Sequence, residues 1–364
     1  MNKTQNTFLT PIQFASILIS ALIGSGLLYL PNSIIKIAKQ DSWISCLMGA
    51  IYPLYVVIIA NYICKKFPRD NILKLSKKYF GKFCGSILNF IFISFFLFIL
   101  TSELSGFSFA FTVYSTPFLE NYQIFLITLI PIVFVSYKGI KTLGRLHEVA
   151  FSITILSILL FLPVIKYGSV LNLMPVFGSG FINIVKGSKK TAFAYSGIEV
   201  IFLIYPFLQD SKKLLKCGIV VTFITASIYT LVVVATIFYL GIETSQTYLW
   251  PILSLADTIN IPVINSFRFI FMNIWVYIEF KCMTTYYFAV SYGLNQSIKK
   301  ISAQKFTFIL YPIIILISFF YKNPTIRRAY NNTLIQVYVI FNLVFISAIA
   351  IIIRFKKGDT IEKV

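Results

Sequence analysis

Charge is the scarcest commodity in this chain. Only 12% of its 364 residues are Asp, Glu, Lys or Arg, about half the ~25% of an ordinary soluble domain. The acidic residues number 12 against 32 basic ones. A water-soluble fold keeps a large polar exterior, and these residues cannot supply one. A soluble enzyme, a disordered chain and a coiled coil are thereby excluded. Histidine occurs once, at His147, which removes most histidine-dependent membrane enzymes. Cys46, Cys64, Cys84, Cys217 and Cys282 stand alone, without CxxC or metal-ligand spacing. Neither a disulfide scaffold nor a metal site is expected from them, and no cofactor motif is seen. No A-x-A site follows a short apolar leader behind Lys3, so no cleavable signal is expected.

What the chain has in excess is apolar surface. Hydrophobic residues make up 58% of it and its mean hydropathy is +0.83, so lipid is the solvent for most of its length. Ten apolar runs are long enough to span: 11–36, 43–64, 84–114, 122–137, 146–166, 188–208, 214–240, 262–291, 305–321 and 333–354. A ~30 Å hydrocarbon core asks for about 20 helical residues. The fourth and ninth runs are therefore short, and the third and eighth are long enough to tilt. The first run opens on Thr10-Pro11, with Gln13 completing a capping box. Within 241–261, Trp250-Pro251 precedes Leu253, Leu255 and Ile259. This stretch is too short and polar to span and predicts an interfacial helix over about 248–260.

A net charge of +20 would suggest nucleic acid for a soluble domain. Here the basic residues sit mostly in short connectors, where they contact anionic lipid and set topology; no nucleic-acid partner is expected. With the N-terminus in the cytoplasm, the connectors on that side carry 21 Lys and Arg. The opposite side carries 9, among them Lys186, Lys189, Lys190, Arg327 and Arg328. The imbalance predicts both termini in the cytoplasm.

Two runs contain breaks. Ile23-Gly24-Ser25-Gly26-Leu27 falls in the middle of the first, and Phe193-Ala194-Tyr195-Ser196-Gly197-Ile198-Glu199 in the sixth. Glycine costs about 1 kcal/mol relative to alanine in a helix interior, so unwinding is cheap at both places; close helix packing by small residues is the plainer use of such glycines. Ser25 and Ser196 are 171 residues apart, which places the breaks at corresponding positions of two five-helix halves, about 11–166 and 188–354, within one transmembrane domain. Because five is odd, the halves are inverted. Interrupted helices at matching positions of inverted repeats point to a midplane binding site.

These residues resemble a family. Ile23-Gly24-Ser25-Gly26 with Leu30-Pro31, and Phe193 to Glu199, look like the first- and sixth-helix signatures of amino acid/polyamine/organocation (APC) transporters. More narrowly, the chain resembles the B subunit of spore germinant receptors, the GerAB-like branch. The residues that carry this likeness are Phe67 to Leu73, Tyr79-Phe80-Gly81-Lys82, Leu173-Met174-Pro175-Val176, and Arg268, Trp275 and Lys281 in the eighth run. The chain departs from the pattern at Ser266-Phe267, where the family often has an acidic residue. The resemblance implies an all-α, LeuT-like membrane fold with helices 1 and 6 unwound. It implies a small amino-acid-like ligand, with partners that include a second membrane subunit and a lipoprotein, in the spore inner membrane. The ligand's carboxylate would meet free N–H groups at Ser25, Gly26 and Leu27, beside Gly24. Its ammonium would meet carbonyls around Phe193, Tyr195, Ser196 and Gly197, with Glu103 as a charge partner.

Glu103, Glu199, Arg268, Glu279 and Lys281 lie inside spanning runs. A charge there costs at least ~2.5–3.5 kcal/mol on insertion scales, so each is read as functional or paired. Glu103 sits in a polar stripe, Thr101 to Gly106, suited either to a cavity wall or to a hydrogen bond with a neighbouring helix. Glu199 follows the second break and can orient it. Arg268 and Glu279 share a helix face but stand ~16 Å apart, too far to pair. Lys281 points away from Glu279 and can snorkel. His147 is expected at the interface. The function read from all this is a germinant receptor subunit, with an amino-acid permease as the alternative and an enzyme the least favoured. The run 146–166 has no lysine before Lys166, whereas many proton-coupled relatives resemble one another in having one there; this favours the sensor.

Overall fold

A computed structural model describes residues 8–159, 167–258 and 267–355. Each of the ten apolar runs is mainly helix over its described residues, and no strand occurs among the described residues beyond a single parallel bridge, Leu9 to Leu208. The first run divides into α1 (Pro11–Leu22) and α2 (Gly26–Ala38), and the second into α3 (Ser42–Gly49) and α4 (Ile51–Lys66). An amphipathic α5 (Ile72–Phe80) leads to α6 (Lys82–Tyr114), α7 (Asn121–Lys138) and α8 (Ile140–Leu159). The second half holds α9 (Phe181–Ala194), α10 (Ile201–Ile204), α11 (Leu214–Thr247), α12 (Pro251–Thr258), α13 (Phe267–Ser297), α14 (Ala303–Ser318) and α15 (Pro324–Phe355).

The capping box forms as expected: Gln13 N–H donates to Thr10 Oγ1 at 3.2 Å, and Thr10 N–H to Gln13 Oε1 at 3.3 Å. Four helices, α6, α11, α13 and α15, run 31 to 34 residues. At 1.5 Å per residue they are about 50 Å long and exceed the hydrocarbon core. The broken helices occupy the centre: α1 packs on α8, α11 and α13, α2 on α9, and α13 on α6.

Several boundaries differ from those read in the sequence. The sixth helix starts at Phe181 and the tenth at Pro324. Lys186, Lys189, Lys190, Arg327 and Arg328, counted as connector charges, therefore belong to α9 and α15. Residues 241–247 continue α11 past a kink at Gly241, whose φ is 72°. In the stretch expected to be an interfacial helix, α12 is the helix that forms, and Ile259 lies outside the described residues, as do Lys3, Lys166, Ser266, Lys356, Lys357 and Lys363.

Candidate functional site

The first break is three residues long, Ile23 to Ser25. Leu27 N–H donates to Gly24 O at 3.0 Å and Leu28 N–H to Ser25 O at 3.1 Å, which starts α2 at once. The Ser25 N–H donates to Glu103 Oε2 at 2.6 Å. A free seat for a ligand carboxylate at Ser25 and Leu27 is thus corrected: both amides are used within the chain. A buried N–H in lipid must find an acceptor, and α6 brings one.

Several carbonyls of the breaks are likewise taken. The Tyr286 hydroxyl of α13 donates to Ala21 O. The Tyr229 hydroxyl of α11 donates to Leu22 O, with Ala194 O the alternative acceptor at 3.1 Å. Phe193 O accepts from Ser196 N–H at 3.2 Å. At the second break Gly197 adopts φ 113°, and a Cβ there would lie 2.7 Å from Ala21 O and against the Tyr286 hydroxyl. Only glycine satisfies both demands. Glu199 orients this turn: its Oε2 accepts from Gly197 N–H at 2.7 Å, and its Oε1 from the Tyr52 hydroxyl and from Asn342 Nδ2 at 3.2 Å.

Between the breaks, α6 and the start of α15 lies a cavity of about 150 Å³. Drug-sized ligands occupy ~300–1,000 Å³, so this space suits a much smaller molecule. Gly24, Gly26, Glu103, Phe193 and Ser196 line it, whereas Ser25, Leu27, Tyr195 and Gly197 do not. Tyr195 instead packs inward, with its hydroxyl donating to Cys46 O at 3.1 Å. Tyr286, Arg327, Arg328 and Asn331 complete the polar wall.

Arg327 is the residue the sequence reading missed. It is only 2% exposed. Its Nε donates to Ser102 O at 2.6 Å, its Nη2 donates to Ser25 Oγ at 2.6 Å, and Nη2 stands 3.7 Å from Glu103 Oε1. Gly106 makes the room: a Cβ there would lie 2.6 Å from Arg327 Nη1. The available signal was Pro324 at the head of an unbroken helical pattern, since proline favours a first helical turn. Arg328 donates to Asn32 Oδ1 at 2.7 Å, tying α15 to α2.

The remaining membrane charges separate. Glu279 is fully buried beside the Glu103 carboxyl, and Arg327 and Lys281 are the cations that act on it. Lys281 does not snorkel: it is 1% exposed and donates to the Thr154 hydroxyl of α8. Arg268 pairs with Asp257 of α12 at 3.3 Å. Burial pushes the Asp257 carboxyl above its ordinary range, and Arg268 opposes that rise. His147 is not interfacial: it is fully buried, with Nε2 2.8 Å from Thr285 Oγ1. The reason is that α8 begins at Ile140, two turns earlier.

The end of the molecule away from the cavity is sealed. Leu9 N–H donates to Phe207 O at 2.7 Å and Gln209 N–H to Leu9 O at 3.0 Å, joining the chain that enters α1 to the chain that leaves α10. Arg69 donates to Pro206 O at 3.1 Å and stacks 4.4 Å from the Phe8 ring.

Two interrupted helices packed together around a small cavity with charged groups in its wall, in an all-helical chain, define a multi-pass membrane protein of the LeuT-like transporter fold. MhsT, solved in complex with L-phenylalanine, superposes with a TM-score of 0.67 at 14% identity, covering 95% of this chain and 88% of MhsT. Mhp1, a nucleobase-cation-symport-1 family transporter, gives 0.73 at 12% identity over 95% of this chain and 80% of Mhp1. The chain belongs to the spore germination protein family, whose pattern it matches over residues 8–327. Spore germination protein YndE of Bacillus subtilis is 26% identical over 86% of this chain and 88% of its own length. Spore germination protein GerQB of Bacillus cereus is 26% identical over 94% and 95%.

Proposed function

We propose that this chain is the membrane subunit of a germinant receptor, binds a small amino-acid-like molecule in the cavity between its helix breaks, and so triggers germination. The carrying observation is the cavity itself: about 150 Å³, with Glu103, Arg327 and Arg328 in its wall, in a chain of the spore germination family. Such a wall recognises a small molecule bearing both charges. MhsT, which shares the fold, was solved with an amino acid. In this reading the spore inner membrane is the location, anionic lipid faces the basic connectors, and both termini are cytoplasmic. The sealed Leu9–Leu208 end then faces the cytoplasm. A partner membrane subunit and a lipoprotein complete the receptor. The role is binding and signalling, not catalysis.

One observation favours the alternative, an amino-acid permease. From Leu146 to Leu159 the fifth helix contributes no lysine of its own, yet Lys281 of α13 delivers an ammonium to Thr154 of that helix. Two assays separate the readings. Spores lacking the gene and complemented with it are exposed to the twenty standard L-amino acids, and germination is followed by loss of optical density. Purified protein in liposomes is tested for uptake of the same compounds. A germination response that depends on the gene supports the receptor. Uptake with no germination response supports the permease and overturns the receptor.

A further inference from the structure

We infer that the Glu103–Arg327 ion pair is the element a ligand opens, with a zwitterion inserting so that its ammonium faces Glu103 and its carboxylate faces Arg327. This rests on the proposed ligand-binding reading of the cavity and adds the anchors and the motion.

Two of the three first-break amides expected to meet a carboxylate are taken, Ser25 N–H by Glu103 Oε2 and Leu27 N–H by Gly24 O. Charge must come from side chains, and Glu103 and Arg327 both line the cavity. Each has one side committed to the protein and one side left for a ligand. Glu103 uses Oε2 on Ser25, while Oε1 stands 3.7 Å from Arg327 Nη2, with the Glu279 carboxyl a further neighbour of Glu103. That spacing is wider than the ~2.7–2.9 Å of a charge-assisted hydrogen bond. Arg327 uses Nε and Nη2 on Ser102 and Ser25, and its Nη1 makes no hydrogen bond among the described residues. A zwitterion placed between them keeps the buried charge balanced: one wide ion pair is exchanged for two close ones. A molecule with only one charge leaves either Glu103 or Arg327 buried and unpaired, which is strongly unfavourable. Arg328, at the same wall, adds a second cation on the side of the carboxylate.

Groups 3.7 Å apart cannot hold a ligand between them without separating. Glu103 is anchored to the break of the first helix and Arg327 rides on the first turn of α15. Insertion therefore moves the head of α15 away from α6 and α2 as far as the Arg327 side chain can reach back to Ser102 and Ser25, breaking the shorter Ser102–Asn331 link of 2.8 Å. The element that carries the signal is α15.

The test uses the full chain purified in detergent, with binding read by calorimetry. The twenty standard L-amino acids are screened first, and the best binder is then compared with its α-amide, which lacks the carboxylate, and its des-amino acid, which lacks the ammonium. The wild-type protein is expected to bind each analogue at least about tenfold more weakly. Glu103→Gln should shrink the penalty for the missing ammonium, and Arg327→Gln the penalty for the missing carboxylate. In a Ser102→Cys/Asn331→Cys protein the amino acid should slow disulfide formation. Analogues that bind as well as the amino acid, or cross-linking unaffected by it, overturn the inference while leaving the proposed ligand site standing. Failure of every amino acid to bind overturns both. If the single variants do not accumulate, the analogue ratios on the wild-type chain decide alone.

Discussion

The main-chain N–H of Ser25 and the carboxylate of Glu103, 78 residues apart in sequence, meet at 2.6 Å in the middle of the bundle. The break in the first helix is therefore occupied from within. An internal carboxylate holds the place at which a ligand's carboxylate was expected, and Arg327 balances it. The breaks are prepared, hydrogen-bonded parts of the protein, and in the proposed binding mode the ligand's charges are met by side chains around them.

The first prediction concerns this pair. Removing one member leaves the other as an uncompensated buried charge, which costs about 3–5 kcal/mol. Arg327→Ala and Glu103→Ala should each lower the thermal midpoint in detergent and reduce accumulation in membranes. The double variant Glu103→Gln/Arg327→Gln should melt closer to wild type than the sum of the two single Gln variants implies. Additive losses would show that the pair is not energetically coupled.

The two glycines of the first break should behave differently. A Cβ at Gly24 would lie 2.6 Å from both Cys282 Sγ and Glu103 Oε2, whereas one at Gly26 meets nothing within 4 Å and points toward the cavity. Gly24→Val should fail to accumulate. Gly26→Val should accumulate normally and raise the amino acid concentration needed for germination by at least about tenfold, the equivalent of ~1.4 kcal/mol. Immunoblots of spore membranes beside dose–response curves check both. Normal sensitivity in Gly26→Val would place the ligand elsewhere.

The tyrosine hydroxyls on the break carbonyls are tested by minimal substitutions. Tyr229→Phe and Tyr286→Phe keep the packing and leave Leu22 O and Ala21 O without these donors. Each should destabilise by about 1–3 kcal/mol, read as a drop in the thermal midpoint. A drop no larger than that of a surface Tyr→Phe control would mean water satisfies these carbonyls.

Topology gives a fourth prediction. In a Cys84→Ser background, which removes the exposed native thiol, a cysteine at Thr247 should react with an impermeant maleimide in intact cells. One at Lys74 should react only after permeabilisation. The reverse pattern would invert the assigned orientation.

The positions of the breaks were legible because glycines inside an apolar helical run have a local conformational signature, and both runs show it. The class of fold was legible for the same reason. The site's electrostatics were not. Arg327 sits beside Lys322 and Arg328, a pattern that reads as a connector, and nothing local shows that α15 starts early and turns this guanidinium inward. Lys281 and His147 were misplaced in the same way, because their partners, Thr154 and Thr285, are more than 100 residues distant.

What the sequence determined by itself was therefore whatever depends on composition and local backbone chemistry. Lipid is the solvent, helices are the elements, ten runs are long enough to matter, and two of them unwind at glycine. What only the tertiary structure decided was which partners the buried charges and freed backbone groups find. Glu103 meets Ser25, Glu199 meets Gly197, Arg268 meets Asp257, and tyrosines cap the carbonyls. The physical reason is that a polar group in hydrocarbon must find a partner, and the partner is whichever group helix packing brings within about 3 Å. That depends on the placement of helices far apart in the chain.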